Sequence, residues 1–153
     1  MDWDNVMSIH KGVDEVDRGQ YDESDEIEFA TGACLLLRKQ MIDKIGLFDR
    51  RYFLYYEDAE LSAKIIHNKY KIMYAPRAIV WHNNAGSSGS GSELHDYYLT
   101  RNRLIFGVKY APLKTKSALI RESFRLLLNG RKWQKIGVKD YYLKRFGKGS
   151  FPK

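Results

Sequence analysis

The sequence predicts an α/β chain: a short mixed sheet with packed helices, followed by a helical basic tail. Three observations carry that expectation. Short, largely apolar runs that read as strands fall at Ile27 to Phe29, Ala33 to Leu37, Lys71 to Tyr74 and Ala78 to His82. Stretches with helical start and stop signals lie between and after them. Residues 101–153 hold fifteen basic and two acidic side chains, against two and ten in residues 1–30. With 153 residues, 44% hydrophobic and 29% charged, one core is expected.

The elements follow in order. To about Ser24 the chain is polar, with Gly12, Gly19 and the acidic cluster Asp22, Glu23, Asp25 and Glu26, and reads as a surface loop. Thr31-Gly32 interrupts the first two strands, where glycine permits a bend or a close approach of another group to the backbone. A short helix spans about Lys39 to Ile45, with Gly46 as its left-handed cap. Residues Arg51 to Tyr56 read as extended and aromatic, leading to a helix from Glu57 to about Asn68 that buries Leu61, Ile65 and Ile66. Pro76 separates the last two strands. The segment AGSSGSGS, Ala85 to Ser92, has the composition of a flexible loop. Ser92 can cap a helix from Glu93 to about Tyr110, stopped by Pro112. Helices at about Thr115 to Asn129 and Val138 to Phe146 complete the chain, giving a compact layer over residues 1–112 and a basic extension over 113–153.

Several classes are excluded or weakened at this level. No apolar run is long enough to cross a bilayer, and the N-terminus lacks the basic-then-apolar order of a secretory signal, so a cytoplasmic location is expected. The single cysteine, Cys34, cannot pair within the chain and reads as a small core residue. The basic tail of a chain with net charge +7 suits an anionic partner: a membrane surface, a nucleotide diphosphate or nucleic acid, or else a solvated helix face. No helix-turn-helix, zinc or RNA-recognition signature accompanies it, which makes nucleic acid the weakest of these.

Taken from the residues alone, Glu57, Asp58 and Glu60 have two readings. Acids in a first helical turn complement the helix dipole, and the same position can present a carboxylate as a general base. His82 is equally open, as a structural imidazole or a metal ligand at a strand end.

The order ATGACLLLRKQ, IGLFDRRYFLYYEDAEL and YKIMYAPRAIVWHNNAGSS, preceded by RGQYD and followed by YYLTRNRLIF, resembles the C-terminal, acceptor-side half of family-2 glycosyltransferases of the GT-A fold, including bacterial rhamnosyltransferase-like members. The resemblance covers about Gly19 to Phe106. It implies inverting transfer from a nucleotide-diphosphate sugar to a glycan or lipid-linked acceptor. It places the general base on Asp58, with Glu57 orienting the acceptor, and puts Thr31, Gly32 and Ala33 beside the donor sugar, where a strand bulge is the alternative. His82 would complete the coordination of a divalent ion, Mn or Mg, bound fully only with a donor-binding half, and the loop at Gly86 to Ser92 would cover the diphosphate. Arg101, Asn102 and Arg103 would face the diphosphate or an anionic acceptor, or form a solvated face. The Tyr52 to Tyr56 cluster would stack on an acceptor sugar through Tyr56, or pack in the core.

Family members begin with a nucleotide-binding half whose strand ends in Asp-x-Asp, and that half is missing here. Asp2-Trp3-Asp4 matches its letters but follows no hydrophobic strand. The expectation is therefore a transferase portion that is inactive without its donor-binding half, which it would recruit unless it self-associates. Peripheral membrane contact through residues 114–148 is a further expected interaction. The competing reading is a non-catalytic module that binds glycan or a protein partner.

Overall fold

The computed structural model describes residues 1–82 and 91–152. It is helix-rich with one small sheet, an arrangement compatible with the α/β class. The order is β1 (Asp25–Ile27), α1 (Lys39–Ile45), α2 (Glu57–His67), β2 (Ile72–Tyr74), α3 (Glu93–Tyr110), α4 (Leu113–Asn129) and α5 (Lys132–Tyr142).

The helices begin and end where local chemistry dictates. The Ser92 side chain accepts the His95 amide, satisfying one of the donors a helix start leaves free. The backbone is extended at Ala111 and Pro112, which ends α3 and leads into α4. Gly46 ends α1 with a positive φ of 76°, but its ψ of 165° lies outside the expected left-handed region, in backbone space open to glycine. In α2, Leu61 and Ile65 are buried as expected, whereas Ile66 is exposed; Ala59, Glu60 and Ser62 complete the buried face.

The strands are fewer and shorter than expected. β1 and β2 pair antiparallel with Glu26 opposite Met73, and Lys71 reaches across to Glu26. Ala33 to Leu37 and Ala78 to His82 are irregular, because neither has a backbone ladder to join among the described residues. As a consequence Cys34 is exposed rather than buried in a strand. Residues 51–56 are turns, not an extended run. The last helix starts six residues before the expected Val138, where the Gln134 side chain accepts the Arg131 amide at 2.9 Å and so satisfies a donor at the helix start.

The main core gathers Tyr52, Tyr56 and Ala59 from the α2 entry with Phe106 of α3, Leu119 of α4 and Val138 of α5. α4 and α5 thus share a core with the residues before α2. The N-terminal stretch is also more than a surface loop: Val6 is fully buried in this core, and Trp3 stacks on Phe106. Asp2 Oδ1 accepts the amides of Asp4 and Asn5, so this carboxylate closes a local turn. A second cluster of Met41, Leu61 and Ile65 seats α1 on α2. Close helix packing needs two glycines. A Cβ on Gly137 would lie 2.7 Å from the Tyr97 carbonyl oxygen, and one on Gly107 would lie 2.3 Å from Leu119 Cδ1.

Candidate active site

The start of α2 is held from both sides. Before it, the chain makes a γ-turn centred on Phe53, in which the Leu54 amide donates to the Tyr52 carbonyl at 2.8 Å. Phe53, Tyr55 and Tyr56 all have positive φ, of 64°, 63° and 69°. Bulky side chains disfavour that region, at a cost of about 1–3 kcal/mol each, so surrounding contacts must impose it.

Arg101 and Asn102 impose it. Both are 0% exposed. The Asn102 amide nitrogen donates to the carbonyls of Tyr52, Leu54 and Tyr55 at 2.8, 2.6 and 2.9 Å. Arg101 Nε donates to Asn102 Oδ1 at 3.0 Å, fixing which way that amide faces. Its Nη2 donates to the carbonyls of Tyr52 and Gly147 at 3.1 and 2.7 Å, and its Nη1 to the Tyr97 hydroxyl at 3.2 Å. Tyr97 in turn donates to Asp140 Oδ2 at 2.5 Å. Burial, and next the bond to Asp140, push the Tyr97 hydroxyl up to about 12. The buried guanidinium thus finds its hydrogen-bond partners in carbonyl oxygens and a hydroxyl. Arg103 reaches outward instead, bidentate to Glu122 at 2.8 and 2.9 Å.

Behind α2, Ser62 Oγ accepts the Ala30 amide at 3.2 Å and brings the Thr31-Gly32-Ala33 segment alongside the helix. The Gly32 amide then donates to Asp58 Oδ2 at 3.0 Å, while Asp58 Oδ1 accepts the Ala59 amide at 2.8 Å. These two bonds fix the plane of the Asp58 carboxylate, and each oxygen keeps capacity for a further proton donor. Gly32 faces it closely, since a Cβ there would meet Asp58 Cβ at 3.7 Å.

Glu57 beside it has the opposite environment. Its Oε2 is buried without a hydrogen-bond partner among the described residues. Burial raises its pKa above the ordinary carboxylate value, and the Asp58 charge adds to the rise. Tyr56 is buried, its hydroxyl donating to the Val6 carbonyl at 2.7 Å, and burial pushes it up to about 12. Glu60 turns inward, with Oε1 accepting from Lys109 Nζ at 2.8 Å and the Tyr110 hydroxyl at 2.9 Å, and ties α2 to the end of α3.

The structure therefore brings Gly32, Glu57 and Asp58 together, with Thr31 and Ala33 flanking. Arg101 and Asn102 lie inside, behind the α2 entry, with their polar groups turned to the protein's own backbone. His82 is exposed and makes no hydrogen bond or ion pair among the described residues. Those residues contain no group of three or more His, Cys, Asp or Glu side chains placed to hold a metal. One imidazole is short of the three or four ligands a protein metal site needs, so by themselves they do not fit the divalent ion. Most of the proposed lid, Gly86 to Ser90, lies outside the described residues.

A fixed carboxylate at a helix start, beside an exposed glycine backbone, suits abstraction of a proton from a hydroxyl. Sequence similarity relates part of the chain to glycosyltransferases. Over 69 residues it is 35% identical to the N-acetylglucosaminyl-diphospho-decaprenol L-rhamnosyltransferases of two strains of Mycobacterium tuberculosis. The match covers 45% of this chain and 22% of each relative, so the chain spans less than a quarter of the curated relatives it matches. No protein-family model and no solved structure matches it.

Proposed function

We propose that this chain is the acceptor-side portion of an inverting family-2 glycosyltransferase of GT-A architecture. The observation that carries the reading is the Asp58 carboxylate, oriented by the amides of Gly32 and Ala59 at the start of α2. Asp58 takes the proton of an acceptor hydroxyl as that oxygen attacks the anomeric carbon. The new C–O bond forms as the bond to the diphosphate breaks, and the nucleoside diphosphate leaves with the electron pair. Glu57, less solvated and more readily protonated, orients the acceptor. Gly32, without a side chain, lets the donor sugar approach the carboxylate.

The relatives' name suggests a deoxyhexose, rhamnose, as the sugar and a diphospho-prenol-linked N-acetylglucosamine as the acceptor. Arg101 and Asn102 act as positioning residues through the 52–55 carbonyls. His82 would supply a single ligand to a divalent ion, the other ligands coming from outside this chain. When bound, that ion would neutralise charge on the departing diphosphate. Without donor-binding residues from elsewhere, this chain turns over no substrate.

Asp58→Asn, made in the full-length context with the donor-binding region present, tests the base. The expected outcome is a loss of about 10²–10⁴-fold in kcat with circular dichroism unchanged. Wild-type turnover would overturn the assignment.

A non-catalytic glycan- or partner-binding module is the second reading. It is favoured by the fact that both Asp58 oxygens already serve backbone amides, as a purely structural helix-start acid would. Glycan binding with no transfer, in the presence of the donor-binding region and both substrates, would select it.

A further inference from the structure

We propose that the outer face of α4, continued by the end of α5, docks on an anionic lipid surface. Around α4, Leu113, Phe124 and Leu128 fall within about 60° of one another, and Arg121, Lys114 and Arg125 within the next 60° or so. The opposite side carries Thr115, Leu119 and Ser123, which are buried against α3 and α5. The apolar side chains have no cover: Leu113, Phe124 and Leu128 are 84%, 56% and 74% exposed. Phe124 stacks on Tyr142 with ring centroids 5.9 Å apart, which joins the patch to exposed Tyr142 and Leu143 at the end of α5.

Charge selects the occupant. The two carboxylates of residues 113–152 are both engaged elsewhere. Glu122 is held by Arg103, and Asp140 is 2% exposed and bound to Tyr97 and Ser150. Lys114, Arg121, Arg125, Lys139 and Lys144 take part in none of the ion pairs found among the described residues. Apolar side chains flanked by unpaired cations, with no free carboxylate between them, match the interface of a bilayer bearing anionic headgroups. A neutral protein partner would leave the cations unanswered, and a nucleic acid would leave Leu113 and Leu128 in water. No helix among the described residues is long and apolar enough to cross the bilayer, so the contact is peripheral.

The inference extends the glycosyltransferase reading by placing the chain at the surface where a prenol-linked acceptor resides. It is tested without donor or acceptor, so either can fail without the other. The full chain is sedimented with vesicles of phosphatidylcholine containing phosphatidylglycerol, and with phosphatidylcholine alone. Binding to the first only, weakened by salt, is expected. Arg121→Ala with Arg125→Ala should lower the partition roughly thirty-fold. Phe124→Ser with Leu128→Ser should lower it while the salt dependence persists, and circular dichroism confirms the fold of both. Equal pelleting with both lipids, pelleting with neither, or no loss in the arginine pair overturns the proposal. Binding of a single-stranded oligonucleotide through the same arginines, with no vesicle binding, would overturn it in favour of nucleic acid.

Discussion

Two regions of the molecule hold their shape by different means. The α3–α5 block is tied together by buried aromatic rings, by helices close enough to need Gly107 and Gly137, and by a hydrogen-bonded polar chain from Asn102 through Arg101 and Tyr97 to Asp140. Residues 20–82 have two short helices, α1 and α2, over a small cluster of Met41, Leu61 and Ile65, one three-residue ladder, irregular connections, and several uncovered apolar side chains, with Leu36 and Trp81 almost fully exposed. Yet Gly32, Glu57 and Asp58 lie in this second region. The block therefore does for the site what local structure does not: it fixes the backbone that enters α2.

The largest effect should come from cutting that support. Arg101→Met leaves the Tyr52 and Gly147 carbonyls and the Tyr97 hydroxyl without their donor, and should cost at least about 3 kcal/mol in chemical denaturation. A cost near zero would mean that the block does not depend on this network.

A pair of glycines sharpens the contrast. Gly137→Ala puts a methyl group 2.7 Å from a backbone oxygen, where little can shift, and should destabilise by roughly 1–3 kcal/mol. Gly32→Ala meets only ordinary contacts and should change stability by less than about 0.5 kcal/mol. Its effect belongs to function: slower transfer in the full-length context, with thermal melting unchanged.

The smallest effect concerns Glu57. Its folded-state pKa is raised by burial, so the folded chain holds this proton more tightly than the unfolded chain. Stability is lost as pH climbs from the ordinary value of 4.5 through the raised one. Glu57→Gln removes that loss, so denaturation across pH should find the variant more stable at neutral pH and equal to wild type in acid. Equal stability at every pH would mean that the carboxylate is solvated.

Local signals made the helices legible. Ser92 and the acid pair at Glu57-Asp58 mark helix starts, and Pro112 a helix end, through chemistry confined to a single turn, and α1 and α3 have the expected bounds. Ala33 to Leu37 and Ala78 to His82 read as strands and are irregular, because a short apolar run becomes a strand only with a partner. The positive φ of Phe53, Tyr55 and Tyr56 left no trace, since no glycine marks them and the cause lies about fifty residues away at Asn102. For the same reason Arg101 and Asn102 read as groups facing the diphosphate or an anionic acceptor, or as a solvated face: their helical positions were clear, but the carbonyls that draw them inward come from a distant turn.

The helical block sets the Asp58 carboxylate through the carbonyls of Tyr52, Leu54 and Tyr55. Amide hydrogen exchange in Asn102→Ala tests it most directly. Faster exchange is expected at Gly32, whose amide is held by Asp58, and at Glu60, whose amide donates to Tyr56, with the Gly46 amide at the end of α1 unchanged. Unaltered protection at Gly32 and Glu60 would contradict it, because the site would then hold its shape without the clamp.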